Sequence, residues 1–290
     1  MAGDGPLIDA LRDAGLRPAG PLSAQAGGDI SAAFRLPTED GAVFLKTGPE
    51  SELDMFTAER DALLELASAG EVRVPRPLVA DTAGGRAFLA LEWLELGPAD
   101  AAANRAFGRA LARLHRHTAD AFGWQRDNTI GRTPQPNAKT DDWLEFWRGQ
   151  RLGHQLELAA ANGYRGRLQH DAERVCAGLA HWFEDYSPQP SLLHGDLWGG
   201  NWAVCAGEPV MFDPATYYGD RETDLAMTRL FGGFTRDFYA AYEQEWPLAA
   251  GADARLPLYQ LYHVLNHLNL FGTGYLGRAE SLLAGLCRQI

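Results

Sequence analysis

"LLHGDLWGGN" (residues 192–201), followed by "MFDPA" (residues 211–215), is the stretch on which the fold turns. An apolar run stops abruptly at His194, Gly195 and Asp196, as a strand does on emptying into a loop. Asn201 stands five residues after Asp196, and Asp213 ends a second apolar run twelve residues later. Taken singly, each is what a polar hairpin with capping residues would show. Taken in order, they meet a specific demand. Phosphoryl transfer from ATP asks a protein to grip the phosphates, hold one or two Mg²⁺ ions and aim an acceptor hydroxyl whose proton is accounted for. Asp196 then reads as the catalytic proton acceptor, with Asn201 beside it. The Asn201 amide oxygen and the Asp213 carboxylate read as metal ligands, since Mg²⁺ is a hard cation that takes oxygen.

Working upstream, Lys46 ends the strand "AVFLK", and Glu59 follows on the next periodic segment. A Lys–Glu pair there would fix the ammonium on the α/β-phosphates. "AGGDIS" is too short for G-x-G-x-x-G, but Gly27 and Gly28 allow backbone amides to approach phosphate. The Walker A pattern is absent, which argues against a P-loop nucleotidase. "LALEWLELG" reads equally as a strand leading into a loop and as an inter-lobe connection; in the second case its backbone groups meet adenine, with Leu91 at the back of the pocket. Five short strands around one helix, "SELDMFTAERDALLELASAG", which Gly70 stops, predict a β-rich lobe over residues 1–96.

From Asp100 the pattern turns helical, predicting a larger lobe over 97–290 and an α+β, two-lobed architecture. The long segment "FGWQRDNTIGRTPQPNAKTDD" carries three apolar anchors, Phe122, Trp124 and Ile130, and reads as an ordered loop. Helices are expected over about 142–161 and 166–185, with "WLEFW" as a packing face. "HVLNH" places His263 and His267 on one helix face. Val264 stands where a zinc protease has its Glu, so structural or substrate-lining roles are expected, with His267 toward substrate.

The formal net charge of −12 argues against general nucleic-acid binding and basic membrane attachment. Three scattered cysteines and no long apolar run predict a soluble cytoplasmic protein. The oligomeric state is not legible.

"HGDLWGGN" and "FDPATYYGDRETDLAMTRLFGGF" together resemble the fructosamine kinase (ketosamine-3-kinase) family, of the protein-kinase-like fold shared with aminoglycoside phosphotransferases and choline kinases. "GGDIS-AF", "VFLK", "FGW-DN-IG-TPQ-N", "DW-EFW--QRL-HQL" and "LYHVLNHLNLFGTGY" extend the resemblance over nearly the whole chain. It implies ATP-dependent phosphorylation of the third hydroxyl of a ketoamine sugar, free or protein-bound, after which the unstable product sheds its sugar. By position it makes Asp196 the proton acceptor, Asn201 and Asp213 the metal ligands, Lys46 and Glu59 the phosphate-side pair, and Glu92, Trp93 and Leu94 the adenine hinge. Trp198 would cover the substrate sugar and Asp224 would brace the loops. Asp220, where the family commonly has His, is expected to alter charge near the substrate mouth. A kinase for an aminoglycoside or choline-like amine is the enzymatic alternative. A nucleotide-binding pseudokinase is the non-enzymatic one.

Overall fold

The computed structural model describes residues 4–25 and 31–290; Gly27 and Gly28 lie outside them. The first lobe is a five-stranded antiparallel sheet in the order β1-β2-β3-β5-β4. Its strands are β1 (Ser23–Gln25), β2 (Ala32–Thr38), β3 (Gly41–Pro49), β4 (Pro77–Ala83) and β5 (Arg86–Glu92). Period-two alternation sorts the two faces of β3. Val43 and Leu45 are buried against Leu7 and Leu11 of α1 (Gly5–Asp13). Phe44 and Lys46 point to the other face, where α2 (Leu53–Ala69) packs through Phe56, Leu63 and Leu66. Gly70, in the left-handed conformation at φ 70°, ends α2.

The chain leaves β5 through β6 (Leu96–Gly97), which pairs with β10 (Trp202–Cys205). The larger lobe is mainly helical: α3 (Ala101–Leu114), α4 (Trp143–Phe146), α5 (His154–Ala161), α6 (Arg167–Ala177), α7 (Glu222–Leu230), α8 (Arg236–Glu245), α9 (Ala252–Phe271) and α10 (Leu276–Leu286). Asp100 caps α3 by accepting from the Ala103 N–H, and Asp142 caps α4 by accepting from Leu144 and Glu145. The π-helical stretch Trp147–Gly153 joins α4 to α5 and carries Arg151, which is fully buried. Trp143, Phe146 and Trp147 join Tyr259 and Tyr262 of α9 in the core.

The anchored segment is ordered as a hairpin, β7 (Asn128–Ile130) with β8 (Thr133–Gln135), and Phe122, Trp124 and Ile130 are all buried. Beside it β9 (Ser191–Leu192) pairs with β12 (Tyr218–Gly219), and β10 pairs with β11 (Glu208–Met211). These short strands deliver the loop 193–201 and the turn at Asp213 to one cleft between the lobes. No helix among the described residues is long and apolar enough to cross a membrane.

Candidate active site

β9 ends at Leu192, and the chain turns at Gly195 with φ 85°. A Cβ on Gly195 would lie 2.0 Å from the Ala215 carbonyl oxygen, so only glycine lets the loop sit so close to the segment after Asp213. Asp224 of α7 secures the turn by accepting from the His194 and Gly195 amides, both at 2.8 Å. Burial opposes ionisation of Asp224, but hydrogen bonding and charge from His115, with His194 and the Gly195 amide, outweigh it. Its carboxyl is therefore held below the usual range. His115 is itself buried, with Nε2 3.2 Å from Asp224 and Nδ1 2.8 Å from the Tyr242 hydroxyl.

His194 is held neutral by burial. Its Nε2 lies 2.9 Å from the Phe212 carbonyl, which can only accept, so Nε2 carries the proton and Nδ1 accepts the Asp196 N–H at 3.2 Å. Asp196 follows directly. Burial, then the charges of Asp213 and Asp224, push its carboxyl up to about 7. Asn201 donates Nδ2 to the Asp196 carbonyl at 2.9 Å, and its backbone carbonyl accepts from the Phe212 amide at 3.0 Å. The proton-accepting loop and the Asp213 turn are thus stitched together through one residue.

Asp213 adopts φ 57°, a left-handed conformation that short polar residues tolerate better than others and that recurs at functional turns. Its Oδ1 is 2.7 Å from Lys46 Nζ, and Glu59 Oε1 is 2.6 Å from the same nitrogen. Burial works to lower the Lys46 pKa, but Asp213 and Glu59 more than reverse this and keep the ammonium charged. Burial raises the pKa of Glu59 against the opposing pull of Lys46.

These groups open on a cleft of about 710 Å³ lined by Lys46, Glu59, Asp196, Trp198, Asn201, Asp213 and His267, among others. Trp198 is 39% exposed, its ring lying over the backbone of Gly200. The His267 ring sits among Phe231, Tyr275 and Phe271, at centroid distances of 4.7, 5.0 and 5.5 Å. His267 Nδ1 is committed to the His263 carbonyl, and His263 is buried and pushed down to about 3. The described residues hold no group of three or more His, Cys, Asp or Glu suited to a metal.

One expectation meets a different geometry. Asp220 is 1% exposed, accepts from the Tyr259 and Tyr186 hydroxyls, and does not line the cleft, so it carries no charge to a substrate mouth. Tyr259 is buried with it and Tyr186 is half-buried, and their two hydroxyls are why an acidic side chain fits there. Leu91 is buried at the end of β5, while Glu92, Trp93 and Leu94 are half-buried. Glu92 is paired with Arg73 at 2.8 Å, and Trp93 donates to Glu95 while Arg35 covers its ring. Sequence reasoning missed Phe44, Asn128, Phe231, Asn266 and Tyr275 as lining residues. The amide-rich "DN-IG-TPQ-N" was the signal for Asn128, whose side chain donates to the Thr216 carbonyl and accepts from Gln135.

With this geometry in place, comparison with known proteins is informative. The fructosamine kinase family model matches residues 20–289. A probable ketoamine kinase of Synechocystis is 45% identical over 259 residues, covering 89% of this chain and 87% of its own. The chloroplastic protein-ribulosamine 3-kinase of Arabidopsis thaliana is 39% identical, covering 91% of this chain and 82% of its own. The crystal structure of a putative fructosamine-3-kinase from Thermobifida fusca superposes with TM-score 0.88 at 30% identity, covering 98% and 99% of the two chains. A thermostable mutant of aminoglycoside phosphotransferase APH(4)-Ia, solved with ADP and hygromycin B, shares the protein-kinase-like fold at TM-score 0.68 and 15% identity, over 99% and 98%. The match runs through both lobes and every loop that builds the cleft, and the chain belongs to the fructosamine kinase family.

Proposed function

We propose that the protein is an ATP-dependent ketoamine kinase that phosphorylates a sugar hydroxyl, the third by resemblance, of a ketosamine adduct. The observation that carries this is the convergence of Lys46, Glu59, Asp196, Asn201 and Asp213 on one cleft. The names of the relatives support the substrate class.

In this reading Asp196 takes the proton of the attacking hydroxyl. Its carboxyl, pushed up to about 7, is basic enough to accept a proton near neutral pH. Lys46, kept charged by its carboxylate partners, receives phosphate oxygens, and Glu59 keeps it aimed. Asp213 and Asn201 fit Mg²⁺. They would hold the ion through two oxygen donors, the kind this hard cation takes. Asn201 Nδ2 is spent on the Asp196 carbonyl, which turns the amide oxygen the other way. When bound, Mg²⁺ neutralises charge on the transferred phosphoryl group. Trp198 and His267 face the acceptor end, where the exposed indole would cover a sugar ring. Residues 1–96 would grip the nucleotide, with adenine met by backbone groups around Leu91–Leu94, and 97–290 would carry the chemistry. The three separate free cysteines favour a reducing cytoplasm.

The deciding experiment is phosphate transfer from ATP by the purified protein to fructosyl-lysine, an aminoglycoside or choline. Asp196→Asn serves as the comparison. Turnover is expected on fructosyl-lysine, falling by roughly 10²–10⁴-fold in Asp196→Asn, the range typical of a lost general base. Transfer only to the aminoglycoside or to choline, or undiminished activity in the variant, would overturn the reading.

A further inference from the structure

Glu59 can hold Lys46 only if α2 keeps its rotation about its own axis, and α2 is gripped on two opposite sides. At 100° per residue, Phe56, Glu59, Leu63 and Leu66 share the sheet side, while Asp54, Ala58, Asp61, Ala62 and Glu65 share the other. That second side meets the segment leading into β7–β8. Arg126 pairs with Asp61 at 2.7 Å and with Asp54, two turns apart on the helix. Ala62 joins the buried cluster of Phe122, Trp124 and Ile130. Tyr218 of β12 donates its hydroxyl to Glu65 at 2.7 Å.

The Arg126 segment is itself tied down. Asn137 donates Nδ2 to the Arg126 carbonyl at 3.1 Å, and its Oδ1 accepts from Arg151 Nη2 at 2.7 Å. Arg151 has no exposed surface and lies 3.9 Å over the Tyr217 ring. Gln135 and Asn128 donate to the Ala215 and Thr216 carbonyls, directly after Asp213. The hairpin and the segment leading into it therefore hold both the helix that carries Glu59 and the chain just after the Asp213 turn.

We propose that Arg126 is a positioning residue for phosphoryl transfer: it clamps α2 to the catalytic lobe through Asp54 and Asp61 and so keeps Glu59 on Lys46. The inference deepens the kinase reading and rests on it for the reaction, though not for nucleotide binding.

The test is a double-mutant cycle on the full chain, Arg126→Gln against Glu59→Gln, with two readouts. The first is kcat/KM for ATP with fructosyl-lysine as acceptor. The second is the thermal shift given by Mg·AMP-PNP, which needs no acceptor. Arg126→Gln is expected to lower kcat/KM for ATP by about 10-fold or more, with KM for fructosyl-lysine changed by less than about 2-fold. In the Glu59→Gln background it should cost no more than roughly a further 2-fold, because its effect runs through Glu59. Arg126→Lys keeps one charge for Asp61 and should recover part of the loss. Effects that multiply in full, or an Arg126→Gln enzyme within about 2-fold of the parent, overturn the proposal. If Arg126→Gln does not fold, Asp61→Asn completes the same cycle. Should fructosyl-lysine not be phosphorylated at all while both variants weaken the AMP-PNP shift non-additively, the clamp stands and the ketoamine reading falls.

Discussion

Burial and two neighbouring carboxylates push the Asp196 carboxyl from 3.8 up to about 7, and this has a stability consequence apart from catalysis. An acid whose folded pKa is raised binds its proton more tightly folded than unfolded. Its share of stability is full below about 4 and is lost as pH climbs to about 7. Asp196→Asn cannot ionise and escapes that loss. In nucleotide-free protein the variant should gain melting temperature relative to the parent as pH rises from about 4 to about 7, then hold a constant lead. Asp220, also pushed up to about 7, titrates in both proteins and cancels in the difference. A lead that does not vary with pH would sink the assignment. At this scale the sequence carried Asp196, Asn201 and Asp213 because they lie on one local loop with fixed spacing. Asp224, His115 and Asn128 were less legible, since their roles depend on hydrogen bonds between segments far apart in the chain. Asp220 was misplaced for the same reason: its tyrosine partners come from elsewhere in the helical lobe.

Among the elements, the loop between β9 and β10 tolerates least change. Alanine at Gly195 would carry the left-handed penalty of about 1–2 kcal/mol and also drive a Cβ into the Ala215 carbonyl. Backbone against backbone cannot yield as a side chain tip can. At roughly 2 °C per kcal/mol for a chain of this size, Gly195→Ala should melt at least about 2–4 °C lower. Its turnover should fall by about 100-fold, because a loop displaced by even 1 Å no longer aims Asp196. Calorimetry and single-turnover kinetics would check both, and wild-type turnover would refute it. The alternation in β3, the helix ended by Gly70 and the long helices were readable from periodicity. β6, β9 and β12 were not, because two-residue strands carry no period. Neither was the π-helical stretch, which looks in sequence like any helix.

For the molecule as a whole, the Lys46–Asp213 ion pair spans the lobes at the point where nucleotide would bind. Ligand binding to the folded state alone stabilises it by about 2.7 kcal/mol at a hundredfold excess over Kd. Mg·AMP-PNP should therefore raise the melting temperature by roughly 5 °C. Asp213→Ala, or EDTA with the parent, should remove more than about half of that shift at the same nucleotide concentration, and an undiminished shift would refute the metal assignment. The two-lobed architecture was readable because strand-rich and helix-rich halves follow one another along the chain. The contacts that hold α2 against the larger lobe were not, since no local pattern links Arg126 to Asp54 and Asp61.

The pairing of Lys46 also bears on the protein's exposure to the chemistry its relatives are named for. The chain has only two lysines, Lys46 and Lys139. Uncharged, accessible amines attack the carbonyl of reducing sugars, and Lys46 is poorly placed on both counts: its side chain is 13% exposed, and it is held protonated between Glu59 and Asp213. Lys139 is exposed. The other positive side chains are arginines, which stay protonated and lack an amine of that kind. A protein proposed to act on sugar-modified amines thus presents a single lysine at its own surface as a target for them.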